Sequence, residues 1–330
     1  MERITGFSQM GDHGLYLNQR GEVYSYGRGD MGQLGNGLLT DSDNLIKVAI
    51  PKTVSIGTGM LHSVALTKNG EVYVWGKNNI NQLGSVLNER YRPIFSEPRK
   101  IESLGPISCI TAGQSSTICL GKDGTVYILG VKNQALIVEN QERQIGKVPG
   151  FPPMAKVTSG PEYISGLSIE GRVYGFRIFW TGKTGKEEAP HEILVEKKFY
   201  NRKANRRFID IKSGAYHTLL LDEEGRVWGY GTNKMYQLGV QEETVFEGPT
   251  LIYGLPKIVE IGAGHFYGVA RDEKGNIWYW GDNHVKTPTI AEGIEETVKA
   301  ILFQKVGGLL LPIWELEKAV RRYFGNEINL

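Results

Sequence analysis

Short apolar runs alternate with polar turns along most of the chain, and the runs come in closely spaced pairs. HSVALTKNG (His62 to Gly70) leads into GEVYVWG, and HTLLLDEEG (His217 to Gly225) leads into GRVWGYG. K-N-G, K-D-G and E-E-G between two apolar runs predict β-hairpins, because glycine accepts the positive φ such turns need. The second run of each pair recurs six times: GEVYSYG from Gly21, GEVYVWG from Gly70, GTVYILG from Gly124, GRVYGFR from Gly171, GRVWGYG from Gly225 and GNIWYWG from Gly275. Their leading glycines lie 49, 54, 47, 54 and 50 residues apart. A fixed period of this size marks a repeat architecture.

The flanks repeat too. A small-residue corner precedes each pair: Gly57-Thr-Gly59, Ala112-Gly113, Ser159-Gly160, Ser213-Gly214 and Ala263-Gly264. Three of the aromatic runs are followed by Gln-Leu-Gly, at Gln33, Gln82 and Gln237, and then by a Pro-bearing or polar stretch with one more short strand, such as PTLIYGL from Pro249. Each unit thus holds four short strands. One such sheet cannot cover both of its faces, so neighbours must stack, and radial stacking of four-stranded sheets makes a β-propeller.

The last repeat is degenerate. Lys318–Asn326 can be laid on Lys274–Asp282, with Ala319 in place of the hairpin Gly275. The same region also reads as an amphipathic helix, with Ile313, Leu316, Val320 and Tyr323 on one stripe and Pro312 at its start. Residues 312–324 therefore have two readings, strand or helix. The length of 330 residues suits two ordinary domains, but the repeat overrides this and predicts one all-β domain over residues 1–330. It also accounts for much of the excess glycine, 43 residues, which recurs at the corners, hairpins, strand ends and Gln-Leu-Gly loops.

Charge and cysteine narrow the function. Lys+Arg 38 against Asp+Glu 36 leaves no bulk attraction to nucleic acid or anionic membrane. The beginning MERITGFSQM has no basic region followed by an apolar run, and no stretch is long and apolar enough for a membrane helix. Cys109 and Cys119 form neither a Cys-x-x-Cys nor a Cys/His cluster, and read as reduced core thiols, with a cross-strand disulfide as the lesser reading. A cytoplasmic or nuclear location is expected.

The run small-Gly-x-x-His-Ser/Thr-x-x-Leu, then Asp/Asn-Gly-x-Val-Tyr/Trp-x-Trp-Gly, then Gly-Gln-Leu-Gly resembles the RCC1 repeat, named for the regulator of chromosome condensation. GTGMLHSVALTKNGEVYVWGKNNINQLG and KSGAYHTLLLDEEGRVWGYGTNKMYQLG carry it best; the fourth unit departs most, with Arg177 in place of the strand-ending glycine. The resemblance covers nearly the whole chain. It implies a seven-bladed β-propeller whose last blade is degenerate or partly helical. It also implies several functions, since the family includes a nucleotide exchange factor for the Ran GTPase, plant ultraviolet receptors, enzyme inhibitors and small partner proteins. The photoreceptor corners resemble Gly-Trp-Arg-His-Thr, whereas here they read Gly-Met-Leu-His-Ser and Gly-Ala-Tyr-His-Thr. Trp75, Trp228, Trp278 and Trp280 fall in the third strand instead, where blade packing is expected.

Candidate chemistry is sparse. Gly27-Arg28-Gly29-Asp30-Met31-Gly32 satisfies G-x-G-x-x-G, but Gln33-Leu-Gly-Asn-Gly follows where a dinucleotide site needs a helix, so it reads as a repeat loop. His13, His62 and His217 share one repeat position with Tyr163, Tyr267 and Ser116, which suits a corner hydrogen bond rather than a metal or catalytic group. Asp222-Glu223-Glu224 and Asp272-Glu273 read as solvated turns. No catalytic motif, metal set or cofactor site is expected.

The run from Lys197 to Arg207 differs from its surroundings. Lys197, Lys198, Arg202, Lys203, Arg206 and Arg207 lie within it with no acid, interleaved with Phe199 and Tyr200. Arg90 and Arg92, with Arg99, add cations in a smaller insertion. These are the candidate partner-binding residues, set against a plain solvated connection. Three functions are expected, in this order: a non-enzymatic protein-interaction propeller acting through its face loops, as a monomer or in a hetero-complex; a guanine nucleotide exchange factor for a Ran-like or other small GTPase; and a nucleic-acid or phosphate-binding propeller using residues 197–207.

Overall fold

The computed structural model describes residues 4–79, 81–84, 93–130, 145–148, 150–161, 163–177 and 206–292. Residues 312–324, with their two readings, lie outside this set.

The described residues form six antiparallel sheets. Sheet 1 holds β1 (Ile4–Met10), β2 (His13–Asn18), β3 (Val23–Gly27) and β4 (Ser42–Lys47). Sheet 2 holds β5 (Thr53–Thr58), β6 (His62–Thr67), β7 (Val72–Lys77) and β8 (Ile94–Lys100). Sheet 3 holds β9 (Ile107–Ala112), β10 (Thr117–Gly121), β11 (Val126–Leu129) and β12 (Ile145–Lys147). Sheet 4 has three described strands, β13 (Met154–Ser159), β14 (Tyr163–Ser168) and β15 (Val173–Arg177). Sheet 5 holds β16 (Phe208–Ser213), β17 (His217–Asp222), β18 (Val227–Thr232) and β19 (Val245–Leu251). Sheet 6 holds β20 (Ile258–Ala263), β21 (Tyr267–Asp272), β22 (Ile277–Gly281) and β23 (Val285–Ile290). Each strand pairs with the next in sequence.

First strands contact first strands from sheet to sheet, β1 with β5, β5 with β9, β9 with β13, β13 with β16 and β16 with β20. Met10 of sheet 1 also packs with Ala215 of sheet 5 against Phe266 of sheet 6, so the row of sheets curls back on itself. This is the expected propeller. First strands are innermost and fourth strands are at the rim.

The apolar core lies between sheets. Leu15, Leu17 and Val23 of sheet 1 close on Ile56, Ala65 and Trp75 of sheet 2. Val64, Leu66 and Val72 of sheet 2 close on Ile110, Cys119 and Leu129 of sheet 3. Each fully buried side chain of this kind is worth about 2 kcal/mol of transfer free energy. Period-2 alternation puts one set of side chains into each neighbouring interface.

Cys109 pairs with Leu120, and Cys119 with Ile110. Directly opposed residues share a face, so the two thiols point to opposite faces of sheet 3. Cys119 enters the interface with sheet 2 and Cys109 the interface with sheet 4. Both are free, and a cross-strand disulfide is excluded by this alternation.

The rim strands show where prolines are tolerated. Register shifts fall opposite Val74/Gly76, Gly229/Gly231 and Tyr279/Gly281, and the bulged outer strands there contain Pro98, Pro249 and Pro288. A rim strand needs fewer ladder donors, so proline costs little there. This is why β19 begins at Val245, ahead of Pro249 where the sequence places it.

The hairpin acids divide in a way the sequence reading misses. Asp222 and Asp272 are buried rather than solvated. Asp222 Oδ1 accepts from the amides of Glu224 and Arg226, and Oδ2 from Trp228 Nε1 and Arg226 Nε. Asp272 repeats this with the amides of Lys274 and Asn276 and with Trp278 Nε1. Asn18 holds the same place in sheet 1, accepting from the amides of Arg20 and Glu22. The residue closes the hairpin from inside, as Asx side chains do. Burial pushes the Asp222 carboxyl up, but the Arg226 amide, the Arg226 guanidinium and the Trp228 indole together hold it below its ordinary value.

Candidate interaction faces

A sheet of four sequential antiparallel strands sends its turns to two sides. Corners between first and second strands, and loops between third and fourth, share one side, the corner face. Hairpins between second and third strands, and the linkers into the next sheet, share the other, the hairpin face.

On the corner-face side, the repeated polar residues are used between sheets. The backbone carbonyl of Gln33 in the first Gln-Leu-Gly loop accepts from Ser63 Oγ at 2.9 Å and Trp75 Nε1 at 2.8 Å, both of sheet 2. Gln82 O accepts from Thr117 Oγ1 of sheet 3 at 2.9 Å, and Gln237 O from Trp280 Nε1 of sheet 6 at 3.0 Å. Gln-Leu-Gly is therefore a clamp between neighbouring sheets.

The shared His/Tyr position works the same way. His13 Nε2 lies 3.0 Å from Ser63 Oγ, and His62 Nε2 lies 3.1 Å from Thr117 Oγ1. Each hydroxyl already gives its proton to a Gln carbonyl, so each imidazole is the donor and carries its proton on Nε2. Tyr163 Oη donates to His217 O at 2.6 Å and Gly214 O at 3.0 Å in the next sheet. Burial lowers His13 to about 3, with His62 adding to the effect. Burial likewise lowers His62 to about 4 and His217 to about 3. These rings are neutral at neutral pH and out of reach of substrate. The reading as a corner hydrogen bond fits His13 and His62, whereas among the described residues both ring nitrogens of the buried His217 have no hydrogen-bond partner. Among the described residues no group of three or more His, Cys, Asp or Glu could hold a metal ion.

What remains exposed on the corner face differs from sheet to sheet. Tyr216 is 48 % exposed and Met60 44 % exposed. Tyr216 stacks on Phe266 with ring centroids 6.3 Å apart, and His265 meets Phe266 edge-on at 4.3 Å. Ala215 N donates to His265 O, and Met60 N to Gln114 O, so the corners are tied to one another. Tyr216, His265 and Phe266 thus form an aromatic cluster at the corners of sheets 5 and 6, and Met60 stands exposed at the corner of sheet 2. Their signal is visible only after the repeat is aligned: Tyr216 and Phe266 stand where sheets 1 and 3 have Asp12 and Ser115.

The loop Gly27–Gly32 leaves β3 with no helix after it, and Arg28 closes on Asp30 through Nε–Oδ1 at 2.8 Å and Nη2–Oδ2 at 2.7 Å. It is a repeat loop, as read from the sequence.

Of the basic run, Arg206 and Arg207 are described, and Lys197, Lys198, Arg202 and Lys203 lie outside the described residues, as do Arg90 and Arg92. Arg206 lies over the Trp228 ring, 4.1 Å from its centroid. Arg207 pairs with Glu223 at 3.3 Å. Both are engaged within the fold, at the entry to sheet 5. Arg99, half-buried in β8, lies 3.8 Å from Glu97.

Comparison with known proteins agrees with this architecture. The Regulator of chromosome condensation (RCC1) repeat matches residues 69–120 and 224–271, and a second form of the same repeat matches 54–82 and 208–237. The chain is 24% identical over 250 residues to the regulator of chromosome condensation of Xenopus laevis, covering 69% of this chain and 58% of that protein. It is 25% identical over 252 residues to the Homo sapiens protein, covering 69% and 59%. The chain thus spans less than two thirds of these relatives. Among solved structures, Prp20p of Saccharomyces cerevisiae superposes with a TM-score of 0.68 at 21% identity, over 95% of this chain and 84% of that one. The repeats matched are sheets 2 and 5 with their flanks, the sheet order is that of a propeller, and the chain carries RCC1-like repeats over residues 54–120 and 208–271.

Proposed function

We propose that the chain is a non-enzymatic protein-interaction propeller that grips a protein partner through its corner face. One observation carries this reading. Polar groups shared among the repeats, the Gln-Leu-Gly carbonyls with His13, His62 and Tyr163, are spent between sheets, while Tyr216, His265 and Phe266 cluster at the corners of sheets 5 and 6 and Met60 stands exposed at the corner of sheet 2. Large aromatic and methionine side chains at a rigid surface suit a binding hot spot. The reading takes residues 1–330 as one repeat domain. The test is affinity purification with wild-type protein and the pair M60E/Y216E. A protein recovered in a fixed ratio with wild type and lost with a variant of unchanged thermal midpoint supports the proposal; equal recovery by both removes the corner face from it.

A second reading, nucleotide exchange on a small GTPase, is supported by likeness to the regulators of chromosome condensation and to Prp20p, whose structure was described with its binding to Gsp1p and histones. Exchange needs no side-chain chemistry, only tighter binding to the nucleotide-free GTPase than to the loaded one. Small GTPases loaded with fluorescent GDP separate the two. Faster release from one of them establishes exchange, and unchanged release from all of them, beside a partner lost in M60E/Y216E, leaves the interaction reading alone.

A further inference from the structure

On the hairpin face, each hairpin sits on the linker that enters its own sheet, through one recurring backbone hydrogen bond. Lys68 N donates to Lys52 O in sheet 2, Lys122 N to Pro106 O in sheet 3, Ile169 N to Pro153 O in sheet 4, Glu223 N to Arg207 O in sheet 5 and Glu273 N to Lys257 O in sheet 6. The two residues so joined are neighbours on that face. In sheets 5 and 6 they have opposite charge and form ion pairs, Arg207–Glu223 at 3.3 Å and Lys257–Glu273 at 3.5 Å. In sheet 2 both are lysine.

Nothing in the described structure answers the charge of these two lysines. Lys52 and Lys68 are exposed and have no acidic side chain within ion-pair distance, and the same holds for Lys122 in sheet 3. The acids of this half of the ring are already held. Glu22 pairs with Lys47, Glu71 and Glu102 both pair with Lys100, and Asp123 turns back to the Thr125 amide and hydroxyl. The half of the face over sheets 4 to 6 is neutralised by Arg172–Glu170 and Arg226–Glu224 as well as the two pairs above.

The backbones of the three lysines are linked on this face by hydrogen bonds. Lys68 joins Lys52, Ile107 N donates to Gly70 O across to sheet 3, and Lys122 joins Pro106 next to Ile107. Their bases are thus held in place before any partner arrives, which lowers the ordering cost of binding. Beside them Val54, at the bulge of β5, is 53 % exposed and supplies an apolar lip.

We infer that Lys52, Lys68 and Lys122 form a docking site for a carboxylate-rich segment of a partner protein, which supplies the acid that sheets 5 and 6 carry internally. Lysine is a point charge without the planar fork suited to phosphate, and among the described residues no exposed aromatic side chain flanks the three to stack on bases. Acidic protein is therefore favoured over nucleic acid. This surface is separate from the corner face, so it stands or falls independently of the proposed function.

The test uses the full chain and a fluorescein-labelled peptide of repeating Glu-Glu-Leu, followed by anisotropy at salt between about 50 and 200 mM. K68E places an acid opposite Lys52, as in sheets 5 and 6, so it is expected to fold with a thermal midpoint no lower than wild type. It is expected to weaken the peptide at least about tenfold, and K52E/K68E/K122E to remove the salt dependence. K77E, on the corner face, is expected to change binding less than about twofold. Unchanged binding by K68E and the triple variant overturns the proposal. So does equal binding of the Gln-Gln-Leu peptide, or displacement of the acidic peptide by a single-stranded oligonucleotide at lower concentration than by unlabelled peptide.

Discussion

Trp75 donates its indole N–H to the backbone carbonyl of Gln33, 2.8 Å away in the neighbouring sheet, and Ser63 donates to the same oxygen. Sheet 6 repeats the indole contact, Trp280 to Gln237, but the residue matching Ser63 is Gly268, which has no hydroxyl. Removing the indole donor therefore strands the buried Gln237 carbonyl of sheet 5 and leaves the Gln33 carbonyl of sheet 1 one donor. W280F is expected to cost about 2–3 kcal/mol and W75F about 1 kcal/mol less. Urea unfolding of the two variants measures the difference; a larger loss in W75F contradicts the clamp.

The corner glycines leave room for a ring rather than only for a turn. A Cβ at Gly59 would lie 2.0 Å from His62 Cε1, with Gly113 O at 2.8 Å. G59A is expected to destabilise by about 1–3 kcal/mol through overpacking. G59A/H62A is expected to cost less than the two single changes added together, since H62A empties the space the methyl needs. Denaturant titration of the four proteins gives the coupling directly.

The buried imidazoles make stability depend on pH. Unfolded, His13, His62 and His217 titrate near 6.5; folded, burial lowers them to about 3, 4 and 3. Between those values the unfolded chain binds more protons, so stability is full above pH 6.5 and falls as pH drops toward about 3, the His62 share being lost by about 4. H62Q is expected to reduce the slope by at most about 1.4 kcal/mol per pH unit. Thermal midpoints from pH 7.5 to 4.5 read this out, and a slope unchanged in H62Q removes His62 from the account.

The thiols on opposite faces of sheet 3 should react at different rates. Cys119 is fully buried, and burial with the nearby Cys109 pushes its thiol well up, which suppresses the thiolate. Cys109 is only partly covered. A chromogenic disulfide reagent on the native protein is expected to modify Cys109 first and Cys119 at the rate of unfolding. C109S then abolishes the early phase. Two equal rates in native protein contradict the assignment.

Much of the architecture was legible because it repeats. Gly76 and Gly231 end their third strands with φ of 104° and 106°, where a Cβ would strike Leu61 O or Tyr216 O, so glycine at that place announces the strand end. The Trp75 and Trp280 positions were rightly read as blade packing. Asp222 and Asp272 were not legible: an acid followed by another acid in a turn reads as solvent-facing, and only the hairpin geometry points it inward onto two amides and an indole. The candidate basic run was legible as charge, yet Arg206 and Arg207 are engaged by Trp228 and Glu223, partners distant enough in sequence to be invisible to a local reading.

The sequence by itself determined the sheet-building unit, because hairpin glycines, alternating apolar positions and Gln-Leu-Gly are local instructions repeated at a near-constant period. Only the tertiary structure decided which polar groups are spent and which stay available. A Gln carbonyl finds its indole, or Arg207 its Glu223, in residues brought close by the ring, and Lys52 meets Lys68 with no acid between them for the same reason. Charge balance at a surface depends on neighbours in space, and those neighbours are set by how the sheets stack.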